Sequence, residues 1–212
     1  MSYFIPGPIE EYVEKHSSPV PLLLKELETE TIEKTDSPQM LSGPVEGKFL
    51  QMLIKVSGAR LVVEIGTFTG YSALMMAEGL PDNGRLITCE ISEVSANIAR
   101  KYFARSAHGN KIDLKMGPAI DTLKKIPEGS VDFVFLDADK VSYSLYYEEG
   151  LRILKHGGLI AADNALWGGR VISPDDNESR AIAAFNDLVM NDDRAEKVML
   201  TMRDGVYLIR KK

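Results

Sequence analysis

One cysteine, Cys89, stands in the 212 residues. An intrachain disulfide is thereby impossible, and a zinc site built on thiolates is not expected. Thiol-poor usage suits a reducing compartment, so a cytoplasmic protein is the expectation. Histidine is nearly as scarce, and His16, His108 and His156 lie far apart without metal-ligand spacing. The opening MSYFIPGPIEEYVEKH lacks a basic stretch followed by an apolar run, so no signal peptide is expected. Apolar runs are only a few residues long, short of the ~20 needed to span a bilayer. Positive charge is in deficit, with 25 Lys plus Arg against 31 Asp plus Glu and a formal charge of −6. That balance disfavours broad binding to nucleic acid or anionic membranes and leaves room only for a local basic patch.

What is present is ordinary for a globular protein: 44% hydrophobic and 26% charged residues in a length suited to one domain with its own core. Residues 1–43 differ from the rest. They are rich in Pro and Glu, and helical spacing at Ile9, Tyr12 and Val13, then at Val20, Leu23, Leu24 and Leu27, predicts two short helices. This segment reads as an extension covering a site or a homodimer interface, ahead of a core at 44–212. A helix is expected at about 45–57, with Phe49, Leu50, Leu53 and Ile54 on one face. From residue 60, strand-length runs at Leu61–Ile65, Leu86–Ile91, Ile112–Met116, Val131–Leu136 and Leu159–Ala162 alternate with helical stretches at about 71–79, 93–106, 118–125, 140–155 and 176–190. Alternation of this kind implies a parallel sheet covered on both faces. Glu196–Met202 and Val206–Ile209, joined at Arg203-Asp204-Gly205, read as a closing antiparallel hairpin. The expectation is an α/β, doubly wound, mostly parallel seven-stranded sheet with an antiparallel C-terminal strand.

VVEIGTFTGYS, residues 62–72, is a strand, a glycine-bearing turn and a helix start, and such strand ends are where open α/β sheets bind ligands. Gly66 and Gly70 allow a close backbone approach. Their G-x-x-x-G spacing is neither the dinucleotide fingerprint nor a P-loop. Glu64 stands where a buried strand would carry a hydrophobe; it is either a partner for a ligand ammonium or an edge charge. Glu90 ends the next strand and either accepts hydrogen bonds from ribose hydroxyls or marks a helix entry near Ser92. FLDADK at 135–140 and AADN at 161–164 end two further strands in carboxylates and an amide. Neighbouring parallel strands would bring Asp137, Asp163 and Asn164 to one edge. Three oxygen donors suit Mg²⁺ or a similar hard cation, the alternative being helix caps. Lys140, three residues beyond Asp137, would have its ammonium form disfavoured by such a cation and become a base; the alternative is a surface ion pair with Asp139.

Together, VEIGTFTGYS, CEIS, GPA at 117–119, FLDADK and ADNALWGG at 162–169 resemble, in order and spacing, the cation-dependent O-methyltransferases of the caffeoyl-CoA and catechol type, from about Met40 to Gly205. The resemblance implies a Rossmann-like methyltransferase fold and S-adenosylmethionine as cofactor. It implies that Ser42, Glu64, Gly66, Thr67, Gly70, Ser72, Glu90, Ala119, Asp137 and Asp139 serve the cofactor, and that Asp137, Asp163 and Asn164 hold a divalent cation, Mg²⁺ ahead of Mn²⁺ or Ca²⁺. Lys140 would be the catalytic base, with Met40 and Trp167 beside a small aromatic diol. Where the plant caffeoyl-CoA enzymes carry a substrate-contacting Asn this chain has Gly168, and no basic N-terminal segment is evident. A free catechol is therefore expected ahead of a CoA thioester. The other readings are a tRNA hydroxyuridine O-methyltransferase and a non-catalytic adenosine-ligand binding module. Relatives are dimers, so a homodimer is expected.

Several residues are assigned bland roles. Cys89 is expected to be a buried small hydrophobe, Tyr143, Tyr146 and Tyr147 packing on one helix, and Glu26, Glu28, Glu30 and Glu33 a solvated helix face.

Overall fold

Short apolar runs bounded by glycine and charge become strands, and the amphipathic stretches between them become helices. The computed structural model describes residues 4–212. By its internal contacts the chain forms two compact units: Pro8–Ala119, and Ile120–Lys212 with the described residues up to Gly7.

The first unit begins with α1 (Gly7–Lys15), none of whose residues is buried, so that Ile9 and Tyr12 remain exposed. In α2 (Leu22–Lys34) the inward face is Leu24, Leu27 and Thr31. α3 (Pro44–Ser57) starts on proline, whose missing N–H costs nothing there, and stops on Gly58 at φ 66°. Then come β1 (Leu61–Ile65), α4 (Tyr71–Gly79), β2 (Arg85–Glu90), α5 (Glu93–Arg105) and β3 (Ile112–Met116). β2 lies between β1 and β3, parallel to both, with registers running from Leu61 opposite Arg85 to Ile65 opposite Cys89. Cover on both faces explains why Val62, Val63 and Ile65 are all fully buried rather than alternating. α4 is buried from Tyr71 through Ala77, so it is apolar on every side. Cys89 is buried, as expected of a small hydrophobe.

α6 (Ala119–Leu123) leads into the second unit, where β4 (Val131–Leu136), α7 (Tyr143–Ile153), β5 (Leu154–Ala162), α8 (Asn177–Met190), β6 (Ala195–Leu200) and β7 (Val206–Lys211) follow. β4 and β5 are parallel; β7 runs antiparallel to both β5 and β6. The strand order is β3-β2-β1 in the first unit and β4-β5-β7-β6 in the second, seven strands in all. This is the expected mostly parallel α/β sheet with its antiparallel ending. Among the described residues, no helix is long and apolar enough to cross a membrane.

Most element ends differ from the sequence reading by a residue or two, and two boundaries differ by more. The helix expected over 140–155 is a short 3-10 turn at Lys140–Ser142 followed by α7, because the Asp139 side chain caps the turn by accepting from the Ser142 N–H at 3.1 Å. β5 starts at Leu154 rather than Leu159. His156-Gly157-Gly158 resembles a turn, but Gly157 absorbs a φ of 80° within the strand, and the register with β4 shifts between Val131 and Phe133.

The acidic face assigned to α2 is only partly solvated. Glu30 accepts hydrogen bonds from Lys34 Nζ at 2.8 Å and Tyr102 OH at 2.8 Å and pairs with Lys101, while Glu26 pairs with Arg105, so both glutamates clasp α2 to α5. Hydrogen bonds from Lys101, Lys34 and Tyr102 hold the Glu30 carboxyl down at about 2, below its ordinary 4.5. A lowered folded-state value means that the unfolded chain binds the proton more readily. The clasp therefore stabilises fully above about 4.5 and loses its effect as pH falls toward about 2. Its lysines are half exposed, which screens the pair. Glu30→Gln is expected to lower stability by about 1 kcal/mol at neutral pH, or roughly 2–4 °C in Tm. Thermal melts across that acid range should show the gap between the variants closing.

Candidate active site

In the first unit the candidate cofactor residues gather where β1 and β2 end. Glu64 is fully buried and not an edge charge. Ser72 Oγ donates to its Oε1 at 2.5 Å and Thr88 Oγ1 to its Oε2 at 2.5 Å. Thr88 also hydrogen-bonds Thr67 Oγ1. The burial of this carboxylate is thus met by hydroxyls of the protein itself, a role that the sequence reading reserves for a ligand ammonium. The signal lies in register: Glu64 stands opposite Thr88 on β2, and Ser72 is the second residue of α4.

The turn that follows is drawn tight by the backbone. Gly66 and Thr67 both donate to Cys89 O, at 3.2 and 3.1 Å, and Gly70 donates to Thr67 O at 2.9 Å. Gly70 has φ 92°, and a Cβ there would lie 2.6 Å from the Phe103 ring, so glycine is required both by dihedral and by space. Glu90 braces this loop. Its carboxylate accepts from Phe68 N at 2.6 Å, Ile91 N at 2.9 Å and Ser92 N at 2.8 Å. Helix entry is therefore one of its roles, and the glycine loop is held by the same side chain. Ser42 is buried just before α3, Met40 is exposed, and Ala119 is buried at the start of α6.

In the second unit the strand ends carry the acids. Asp163 N donates to Leu136 O at 3.0 Å, which sets the ends of β4 and β5 side by side. Asp163 is buried, and one of its oxygens, Oδ1, accepts from Asn164 N at 2.7 Å. Burial first, and the Asp137 charge second, push its pKa well above the usual carboxylate range. Lys140 is buried as well. Its Nζ donates to Asp137 Oδ1 at 3.0 Å and to Tyr143 OH at 2.7 Å, so the surface pair with Asp139 is not what forms. Burial works to lower the Lys140 pKa, but Tyr143, Asp137 and Asp163 outweigh it and hold the ammonium above its ordinary value. By themselves these groups keep Lys140 protonated; the lowered value expected from the sequence depends on a nearby divalent cation. Asp139, exposed, spends its carboxylate on Ser142 N and on Tyr146 OH at 3.0 Å. Trp167 has φ 45°, and its ring lies 5.7 Å from Lys140 Nζ. Gly168 follows at φ 62°, a left-handed position that glycine and asparagine both tolerate.

The sequence assigns Tyr143 to packing alone. It does pack, edge-on to Phe185 at 5.3 Å between ring centroids. It also places a hydroxyl between Lys140 Nζ and Asp163 O, which it meets at 3.1 Å. The i, i+3 spacing of Lys140 and Tyr143 is the signal that could have revealed it.

A family model described as O-methyltransferase matches residues 14–212. The chain belongs to the O-methyltransferase family. The enzyme class read from the motifs, an S-adenosylmethionine-dependent O-methyltransferase, is the one its relatives carry. It is 38% identical over 210 residues to probable caffeoyl-CoA O-methyltransferase 1 of Dictyostelium discoideum, covering 96% of this chain and 91% of that protein. Caffeoyl-CoA O-methyltransferase 2 of Zea mays is 39% identical over 185 residues, covering 81% and 70%. An O-methyltransferase from Bacillus cereus, solved in complex with SAH, superposes with a TM-score of 0.89 at 32% identity, covering 97% of each chain. These relatives support the methyltransferase fold and caffeoyl-CoA type; the roles of individual side chains rest on the geometry above.

Proposed function

We propose that the protein moves the methyl group of S-adenosylmethionine to one hydroxyl of a small aromatic vicinal diol, with a divalent cation, Mg²⁺ first, as the second cofactor. The observation that carries this reading is the buried Asp163 with the half-buried Asp137 and Asn164 at the strand ends, beside the buried Lys140. Two carboxylates and an amide are hard oxygen donors of the kind that Mg²⁺, Mn²⁺ and Ca²⁺ accept. Burying Asp163 near a second carboxylate is costly, and a cation between them would offset that cost.

A cation held there would supply Lewis acidity, lowering the pKa of a hydroxyl bound to it. Lys140 Nζ takes the hydroxyl proton, with Tyr143 holding the amine in place. The oxygen then attacks the sulfonium methyl; the O–C bond forms as the C–S bond breaks, and S-adenosylhomocysteine leaves. Glu90 is suited to one ribose hydroxyl of the cofactor through the acceptor site that its three backbone bonds leave on Oε2. Bound in this way, the diol is oriented as well as activated, and orientation alone can supply several kcal/mol of the barrier.

The test offers caffeate, caffeoyl-CoA and their 4-monohydroxy counterparts with S-adenosylmethionine and Mg²⁺, and reads products by mass. Methylation of a diol with none of the monohydroxy compound is expected, and free acid is expected to be used at least as well as thioester. Equal methylation of the monohydroxy compound would remove the chelation mechanism.

A further inference from the structure

The inward face of α2 is written as Leu24, Leu27 and Thr31, a helical spacing whose last member is a hydroxyl where a hydrophobe would serve the core. Thr31 is fully buried. Its hydroxyl is bonded to Leu27 O at 2.8 Å and to the hydroxyl of Thr69 at 2.9 Å. Thr69, equally buried, stands between Gly66 and Gly70 in the glycine turn. The same Thr31 also holds the end of its helix, where its carbonyl oxygen accepts from Thr35 N at 3.0 Å and from Thr35 Oγ1 at 2.8 Å. Past Thr35 the chain runs through a 3-10 turn at Pro38–Met40 to the buried Ser42. One threonine thus joins two stretches of chain that carry candidate cofactor residues: the turn with Gly66 and Thr67, and the segment with Ser42.

The hydroxyl adds little to the core that a methyl group in its place would not. What it adds is direction. A buried hydroxyl has to be paired, and pairing with Thr69 ties α2 to one seating over the turn. The backbone of the turn is already tied on the sheet side, at Cys89 O and at the Glu90 carboxylate. Thr31 supplies a tie on the helix side. We infer that Thr31 is a positioning residue for S-adenosylmethionine: through Thr69 it sets the glycine turn, and through the end of α2 it sets the approach to Ser42. This rests on the reading of the glycine turn as the cofactor site. Thr31→Val keeps the shape of the side chain but leaves the Thr69 hydroxyl buried without that partner, which drives the turn to shift toward another.

Calorimetric titration of the purified protein with S-adenosylhomocysteine reads this without turnover. Thr31→Val is expected to weaken binding about tenfold, the scale of one buried hydrogen bond. Thr31→Ser keeps the hydroxyl and is expected to bind within about threefold of wild type. Glu30→Gln loosens the same helix on its α5 side, where Glu30 meets Tyr102 and Lys101, and is expected to lower Tm yet bind within about threefold of wild type. Thr31→Val combined with Thr69→Val removes both hydroxyls. Its loss is expected to stay near about tenfold rather than reach about a hundredfold, because the pair acts as one unit. If Thr31→Val alone does not fold, a folded double variant that binds about tenfold weaker supports the role, and one that binds like wild type overturns it. Failure of both to fold makes Thr31 a structural residue and overturns it. So does wild-type affinity in Thr31→Val, an equal loss in Glu30→Gln, or a Thr31→Ser variant as weak as Thr31→Val; each of these leaves the cofactor site standing. Wild-type protein that binds no S-adenosylhomocysteine at millimolar concentration overturns both.

Discussion

Lys140→Met lowers kcat for diol methylation by about 10²- to 10⁴-fold, the ordinary contribution of a positioned base, and changes diol and cofactor affinity little. Methionine keeps the length and apolar stem of the lysine but removes the amine that meets Asp137 Oδ1 and Tyr143 OH. A second substitution separates base from charge. Lys140→Arg restores the positive charge beside Asp137 but cannot give up its proton, so it is expected to remain as slow as the methionine variant. Recovery of rate in Lys140→Arg would mean that the residue acts as a fixed cation and that another group takes the proton. Tyr143→Phe, which leaves Lys140 without its 2.7 Å partner, is expected to lower kcat more than it raises KM.

Asp163→Asn trades function for stability. The substitution keeps an oxygen that can accept from Asn164 N, yet removes the buried carboxylate that lies beside the half-buried Asp137. Cation affinity and methyl transfer are both expected to be lost. The metal-free protein, by contrast, is expected to gain about 1 kcal/mol, or roughly 2–4 °C in Tm. The sign follows from the raised pKa of Asp163, which starts from an ordinary 3.8 and is pushed up by burial and by Asp137. The folded state then binds the proton more readily than the unfolded chain does. This carboxyl's contribution to stability is fully present below 3.8 and is lost as pH rises through that value toward the raised folded one. Melts in chelator across that window should show a downward slope in wild type that Asp163→Asn lacks. A variant that melts lower than wild type at neutral pH would show that the buried carboxylate is stabilising in its own right.

The strands, the glycine turn and the acid-tipped strand ends are legible because each is written in one continuous stretch of chain. β1, β3 and β4 begin and end where their apolar runs do. What escapes depends on pairs distant in sequence. Glu64 shows up as an oddity in an apolar strand, but its Thr88 partner becomes visible only through the register of β1 with β2. Asp204 lies in what reads as a plain hairpin turn, and nothing local ties it to Gly168. Glu30 belongs to a run of glutamates indistinguishable by composition; packing of α2 on α5 singles it out. Tyr143 escapes for another reason: it packs and bonds at once, and the packing half is the part that periodicity can express.

Cation dependence is the most direct test of the central claim that a cation held by strand-end oxygen donors, not a protein base alone, activates the acceptor. The protein is stripped with chelator and assayed for methyl transfer from S-adenosylmethionine to a catechol, then assayed again as Mg²⁺ is restored. The expected result is a fall to background and recovery with Mg²⁺, absent in Asp163→Asn. Undiminished transfer by the stripped protein would contradict the claim.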